Sequence, residues 1–355
     1  MITEIGVRFP KNEQFGQQEY HIHDNIKQQI AKKFPHGDNL IVNLNWFGSH
    51  FPNNPGWDTI HQFIASGREF DRIFWFCIID PSTITKDQIQ DFEKKLSSKE
   101  NYYVGPAFQS PHTFHTHSIF FIEEAPDYTE DDVMMRDIRH LYISYNRKPK
   151  PHRISLVEKI YQAGLEKHGV ISLGKHDVPY DVSEGVITDL YLRLENDFPE
   201  DYTREGAFPL VTNFGGVPYD CTSLGRLDIW QNHFLNVVSE TEWRPWDPVF
   251  TTEKTLKPIV GMRPFVINGQ VTEYQWLRDQ GFKTFNHYFD GIEIENVKEF
   301  EVQDAIVALL KYLTTLEKSD LQKMYNDMLP DLKHNRNRFF EFAKEQRHRM
   351  NNLFV

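Results

Sequence analysis

Short, dense apolar runs recur along this chain, and stretches with helical spacing separate them. Asn39–Leu44 (NLIVNL) and Arg72–Ile79 (RIFWFCII) are two such runs. Runs of about four to eight apolar residues mark strands buried on both faces. Asp58–Ile64 and Lys86–Leu96 have helical spacing, the latter with Ile89, Phe92 and Leu96 on one face. Strands alternating with helices fold as βαβ units on a parallel sheet. Tyr102–Phe108 and Ser118–Ile122 are read as two further strands of this first series. A second series follows. Leu141–Ser144, Gly169–Leu173, Phe208–Thr212, Phe234–Ser239 and Phe265–Ile267 are its expected strands, with helices at Ser155–Gly164, Ile187–Leu194 and Val302–Leu316.

A length of 355 residues suits two domains better than one. The acidic stretch Ala125–Arg139 reads as their connection. The expected organisation is an N-terminal α/β domain over 1–135 and a second over 136–317. A helical segment over 318–355, rich in Lys, Arg and His, packs across both. Two open α/β domains of similar size imply a central cleft, with ligands beyond the carboxyl ends of strands. No Gly-rich dinucleotide fingerprint or P-loop is present, which disfavours nicotinamide enzymes and ATPases. The net charge of −12 opposes a main role in non-specific DNA or anionic-membrane binding. Two cysteines, Cys77 and Cys221, show no metal-type spacing. No run approaches the roughly 18 apolar residues of a membrane span, and the N-terminus has no apolar core of a signal peptide. A soluble cytoplasmic protein is expected.

Chemistry concentrates in the second domain. In Thr251–Gly269 (TTEKTLKPIVGMRPFVING) a hydroxyl pair, a carboxylate and an ammonium precede an apolar helical pattern. A helix start has unpaired N–H groups and the positive dipole end, so it favours anions. Thr251 or Thr252 is placed to cap it. Lys254 adds a point charge, and Glu253 offers acceptors for a ribose diol. Pro258 should kink or shorten the helix after Lys257. Alone, the segment serves equally well as an ordinary capped helix with a surface Glu–Lys pair. A second segment, Asn146–Arg153, carries Arg147, Lys148, Lys150, His152 and Arg153 between a strand and a helix. Basic loops are usually only solvated, yet a guanidinium at such a turn forks onto a pyrophosphate. In a third, the apolar strand at Phe234 ends in Ser239, Glu240, Thr241 and Glu242.

Together these segments resemble the donor domain of the α-1,3-fucosyltransferase-like glycosyltransferases. Tyr145-Asn146 and Arg153 correspond to that family's strand end and helix-opening Arg. Ser239-Glu240-Thr241 corresponds loosely to its Phe-Glu-Asn-Ser turn. Thr252-Glu253-Lys254 corresponds closely to its Thr-Glu-Lys helix start, and Arg263-Pro264-Phe265-Val266 follows at the family's distance. The chain is still more similar to a looser set of phage and bacterial glycosyltransferase-like proteins that share the Asn-Arg-x-Pro-x-Pro-His-Arg loop. The resemblance spans roughly 140–290, and the half-kept Glu240 turn carries no sugar or base specificity with it.

The resemblance implies the GT-B arrangement, two Rossmann-like domains facing a cleft. It also implies a hexosyl- or pentosyltransferase using a nucleoside-diphosphate sugar as donor. Asn146, Arg147, Arg153, Ser239, Glu240, Thr252, Glu253 and Lys254 would line the donor site, without a bound cofactor or metal. The acceptor would be a glycan hydroxyl activated by a base from the first domain. His50 and Asp58 in the loop 48–58 are candidates, as are His115 and His117, read as sharing one strand face. Trp46 and Trp57 are placed to stack on a sugar or base. A modified DNA base is the alternative acceptor, favoured by the basic run Lys333–Arg349 and opposed by the net charge. A non-catalytic nucleotide- or glycan-binding protein is the rival from another class.

Overall fold

Phe74, Trp75 and Phe76 are fully buried in the third strand of an all-parallel sheet, as the density of the RIFWFCII run requires. The computed structural model describes residues 1–5, 14–44, 55–77, 86–106, 110–124, 127–146, 150–173, 223–241, 243 and 249–355. The chain divides into two compact units: Met1–Phe120 with Ala343–Val355, and Phe121–Phe342.

The first unit holds β1 (Ile2–Ile5), β2 (Asn39–Asn43), β3 (Phe70–Phe76) and β4 (Ser98–Val104). They pair in sequence order, β1-β2-β3-β4, all parallel. Alternate residues point to opposite faces. Leu40, Val42, Ile73 and Trp75 meet Phe63 and Phe92 on one side. Ile41, Phe74 and Phe76 meet Ile22, Ile26, Ile30 and Phe354 on the other. Both faces are therefore covered, by helices α1 (Gln14–Lys33), α2 (Pro55–Ser66) and α3 (Lys86–Lys95) among others. Each fully buried large apolar side chain is worth roughly 1.5–3 kcal/mol.

One element differs in kind from the sequence reading. Ser118–Ile122 is not a strand but part of helix α4 (Thr116–Glu124). Ser118 N–H donates to His115 Nδ1 at 3.1 Å and Ser118 Oγ to the His115 carbonyl at 2.8 Å. Ile119, Phe120 and Phe121 are consecutive and all buried, so this run shows no alternation of apolar and polar positions to reveal a helical period. His115 and His117 thus sit at a helix start, not on one strand face. The strand expected at Tyr102–Phe108 begins earlier and ends at Val104. β1 and α1 complete the sheet without having been anticipated. The elements expected at Ile187–Leu194 and Phe208–Thr212 lie outside the described residues.

The second unit holds β5 (His140–Asn146), β6 (Gly169–Leu173), β7 (His233–Ser239) and β8 (Phe265–Asn268), all parallel, in the order β6-β5-β7-β8. The chain leaves β5 to one side for β6 and returns to the other side for β7. Between β5 and β7 lies a topological switch point, where open α/β sheets bind ligands. Among the described strands the first sheet has none.

The helices of this unit are α5 (Glu130–Val133), α6 (Pro151–Gln162), α7 (Leu227–Trp230), α8 (Glu253–Val260), α9 (Thr272–Asp279) and α10 (Val302–Leu313). The long α11 (Lys318–Asn351) belongs to this unit through Phe342 and to the first beyond it. Pro258 does not end α8 at Lys257; the helix runs three residues further, to Val260. Its missing N–H falls one turn before the end, where little helix remains to lose.

Arg263, fully buried, pins the start of β8. Its guanidinium donates to the carbonyls of His233, Val133, Met262 and Trp230 and to the Tyr325 hydroxyl. Burial lowers its pKa to about 10, so it stays charged at neutral pH. Among the described residues, no helix is long and apolar enough to cross a membrane.

Candidate functional site at the β5–β7 switch point

Glu240 follows the last residue of β7 and is fully buried. Its Oε1 accepts from Thr252 N–H at 3.1 Å and from Thr255 Oγ1 at 2.6 Å. Its Oε2 accepts from Thr252 Oγ1 at 2.5 Å and from Thr241 N–H at 3.1 Å. A carboxylate has about four acceptor positions, and here each has a donor. The side chain therefore clamps the end of β7 to the start of α8. The sequence reading expected Glu240 to line the donor site; its carboxylate is instead occupied by the protein.

Backbone carbonyls of the same turn collect the cations. The Glu240 carbonyl accepts from Arg153 Nη2 and from His152 Nε2, both at 2.9 Å. Lys150 Nζ donates to the Thr241 carbonyl at 2.9 Å. Pro151 is the first residue of α6, where its missing N–H costs nothing and its fixed φ suits the helix. Lys150, His152 and Arg153 thereby meet the Glu240–Thr241 turn. His152 is held neutral: burial first, then the Arg153 charge, push its pKa well below the usual imidazole range. Its ring stacks on Trp243 at a centroid distance of 5.7 Å and an interplanar angle of 13°.

The helix start supplies the third cation. Thr252 is the N-cap of α8; its hydroxyl accepts from Lys254 N–H at 3.3 Å. Lys254 Nζ reaches Glu253 Oε1 at 2.7 Å, Thr241 Oγ1 at 3.1 Å and Thr252 Oγ1 at 3.2 Å. The Lys254 and Glu253 side chains keep 26% and 15% of their surface exposed, so a ligand can reach both. Ser239 is buried and accepts from Asn268 Nδ2 at 3.2 Å, beneath the turn. Asn146, also buried, closes β5. Its Nδ2 donates to Ser144, and its Oδ1 has no partner among the described residues.

Glu273, in the first turn of α9, was not anticipated. It is fully buried, and among the described residues neither carboxyl oxygen has a hydrogen-bond partner. A Cβ on Gly269 would lie 2.8 Å from Glu273 Oε2 and 3.2 Å from Glu240 Cβ, so both acidic side chains border the space beside Gly269. Burial, then the nearby Glu240 charge, hold the Glu273 carboxyl well above its usual pKa, while Lys254 pulls the other way. A helix start favours an anion by about 0.3–1 kcal/mol, up to ~2. Burying an unpaired carboxylate costs several kcal/mol. The neutral acid wins. In sequence the residue is indistinguishable from an ordinary acidic first-turn residue.

The sequence-derived residues thus divide. Asn146, Arg153, Ser239, Glu240, Thr252, Glu253 and Lys254 come together in the second unit. Arg147 and His50 lie outside the described residues, as do Trp46 and the side chains of Trp57 and Asp58; Trp57 and Asp58 fall in α2. His115 and His117 are buried in the first unit, their rings 6.3 Å apart. Among the described residues, no group of His, Cys, Asp and Glu is arranged to hold a metal ion.

No family model matches the chain, and no curated protein is similar to it. Among solved structures, it is similar to AviGT4, a glycosyltransferase involved in avilamycin A biosynthesis. The identity is 8% and the TM-score 0.33, over 98% of this chain and 97% of that one. It is also similar to a UDP-forming trehalose-phosphate synthase from Burkholderia xenovorans, at 12% identity and a TM-score of 0.33, over 98% and 81% of the two chains. An apo structure of OtsA is similar at 10% identity and a TM-score of 0.33, over 94% and 79%. Likenesses of this size carry no argument about activity; the α/β class and the parallel sheets rest on the strand pairings themselves.

Proposed function

We propose that this chain is a GT-B glycosyltransferase that moves a hexosyl or pentosyl group from a nucleoside-diphosphate sugar to an acceptor hydroxyl, in the cytoplasm. One observation carries the reading. Lys150, Arg153 and Lys254 converge on the Glu240–Thr241 turn beside the start of α8, at the switch point of the second sheet. A diphosphate needs such an arrangement of cations and helix-start N–H groups. The resemblance of Thr252-Glu253-Lys254 to the fucosyltransferase-like helix start supports it.

In this reading the sugar C1–O bond to the diphosphate breaks and an acceptor oxygen bonds C1. Lys254 and Arg153 offset the charge that grows on the leaving diphosphate. Glu253 takes the ribose hydroxyls. A base, with His50 and Asp58 as candidates, removes the acceptor proton. His115 and His117 are weaker candidates because both are buried, and His115 Nδ1 already accepts from Ser118. The acceptor proposed is a glycan. The basic run that favoured DNA is partly used within the protein: Arg336 binds the Val260 and Tyr128 carbonyls, and Lys333 pairs with Glu130.

A thermal-shift screen against GDP, UDP, CMP and ADP, each with and without its sugar, tests the proposal. One nucleotide should stabilise the chain, its sugar conjugate should bind, and labelled sugar should pass to an acceptor or to water. No shift with any nucleotide sinks the donor site. Binding without transfer or hydrolysis leaves a non-catalytic nucleotide-binding protein.

A further inference from the structure

We propose, on the reading of this turn as a diphosphate subsite, that Glu273 is a positioning residue whose bound proton leaves Lys254 its charge for the ligand. Glu273 lies beside Gly269, fully buried, with both oxygens unpartnered among the described residues. The charged groups whose fields reach it are Glu240, from the turn after β7, and Lys254, from the start of α8. Tyr274, next to it on α9, spends its hydroxyl as acceptor for Ile267 N–H at 2.7 Å.

The charge balance depends on that proton. With Glu273 neutral, the cluster sets Lys150, Arg153 and Lys254 against Glu240 and Glu253, an excess of one positive charge. With Glu273 ionised the excess vanishes, and Lys254 gains a third nearby carboxylate. Glu240 cannot compensate, because its oxygens are filled by Thr241, Thr252 and Thr255. Binding an anion and retaining the proton are therefore linked, and by reciprocity each favours the other. No ligand atom needs to touch Glu273. Its effect passes through Lys254.

Calorimetry on the full chain tests this with inorganic pyrophosphate, GDP, UDP and ADP as probes, from about pH 6 to about pH 9. In the unaltered protein the affinity should fall with pH about tenfold more than in Glu273→Gln, whose amide stays neutral throughout. The ligand's own ionisation is common to both proteins and cancels in the comparison. Binding enthalpies in two buffers of different ionisation enthalpy give a second readout: toward the alkaline end of the range the unaltered protein should take up more protons on binding than Glu273→Gln. Parallel pH profiles for the two proteins, even with a changed melting temperature, would reduce Glu273 to a structural role and overturn the inference. So would equal proton uptake by the two proteins at the alkaline end of the range. Failure of every probe to bind at every pH overturns the diphosphate reading itself, and this inference with it.

Discussion

Glu240 accepts both the backbone N–H and the side-chain hydroxyl of Thr252, at 3.1 and 2.5 Å, with neither residue open to solvent. The contact joins the end of β7 to the first residue before α8. It makes the helix start a fixed part of the sheet edge and not a fraying terminus.

Glu240→Ala should therefore be among the most damaging single changes in the second unit. It leaves the buried N–H of Thr252 and the half-buried N–H of Thr241 without partners, at about 1–3 kcal/mol for a fully buried orphaned group. Denaturant unfolding should show a loss of several kcal/mol. Thr255→Val, which removes one of the four donors, should cost only about 1 kcal/mol.

Lys254→Ala and Arg153→Ala should each weaken nucleoside-diphosphate binding about tenfold or more, the worth of one charge-assisted hydrogen bond. The two should separate in stability. Lys254 is partly exposed, so its loss should leave the melting temperature nearly unchanged. Arg153 is buried, and its loss should lower it. Unchanged binding in calorimetry for both variants removes the diphosphate from this turn.

Gly269→Ala should destabilise by roughly 1–3 kcal/mol through overpacking. The added methyl would meet Glu273 Oε2 at 2.8 Å, Ile267 Cγ2 at 3.1 Å and Glu240 Cβ at 3.2 Å. Combining it with Glu273→Ala relieves the closest contact, so a double-mutant cycle should show a favourable coupling.

Arg263→Lys should not rescue Arg263→Met. The guanidinium reaches carbonyls in several directions at once, and an ammonium on a flexible stem cannot. Both variants should lose several kcal/mol in chemical denaturation, as expected when a buried polar network is broken. Full stability of the Lys variant would contradict this account.

Stability should also fall in acid through two buried imidazoles. His233 is held neutral to about pH 3, first by burial and then by Arg263, and His152 is depressed in the same way. Both are neutral in the folded state and take up protons when unfolded. Their contribution is thus complete above the ordinary histidine pKa of about 6.5 and is lost progressively as pH falls toward 3. Glu273 has the opposite sign. Its raised pKa means stability present below about 4.5 and lost as pH rises toward its folded value. Replacing Glu273 by Gln should flatten the alkaline limb alone, which pH-dependent urea titrations would read.

Sequence and tertiary structure contributed differently to what is known of this chain. The strands β2, β3, β5, β6, β7 and β8 were readable because a strand buried on both faces must be apolar at nearly every position. The N-cap at Thr252 was readable because a hydroxyl before an apolar period is a local signal. Helix α4 was misread for the same reason the strands were not: an apolar run without a polar face has no period. No local pattern distinguished Glu240, a filled clamp, from Glu253, which a ligand can reach, or marked Glu273 as a buried acid. Those differences arise from which donors the fold brings to each carboxyl, such as Thr252 and Thr255 to Glu240, and from how much water is excluded around it. Residue identity along the chain determined that carboxylates, cations and a helix start would be near strand ends. Only the β6-β5-β7-β8 order decided that they meet at one turn, because a switch point exists only once the strands have paired.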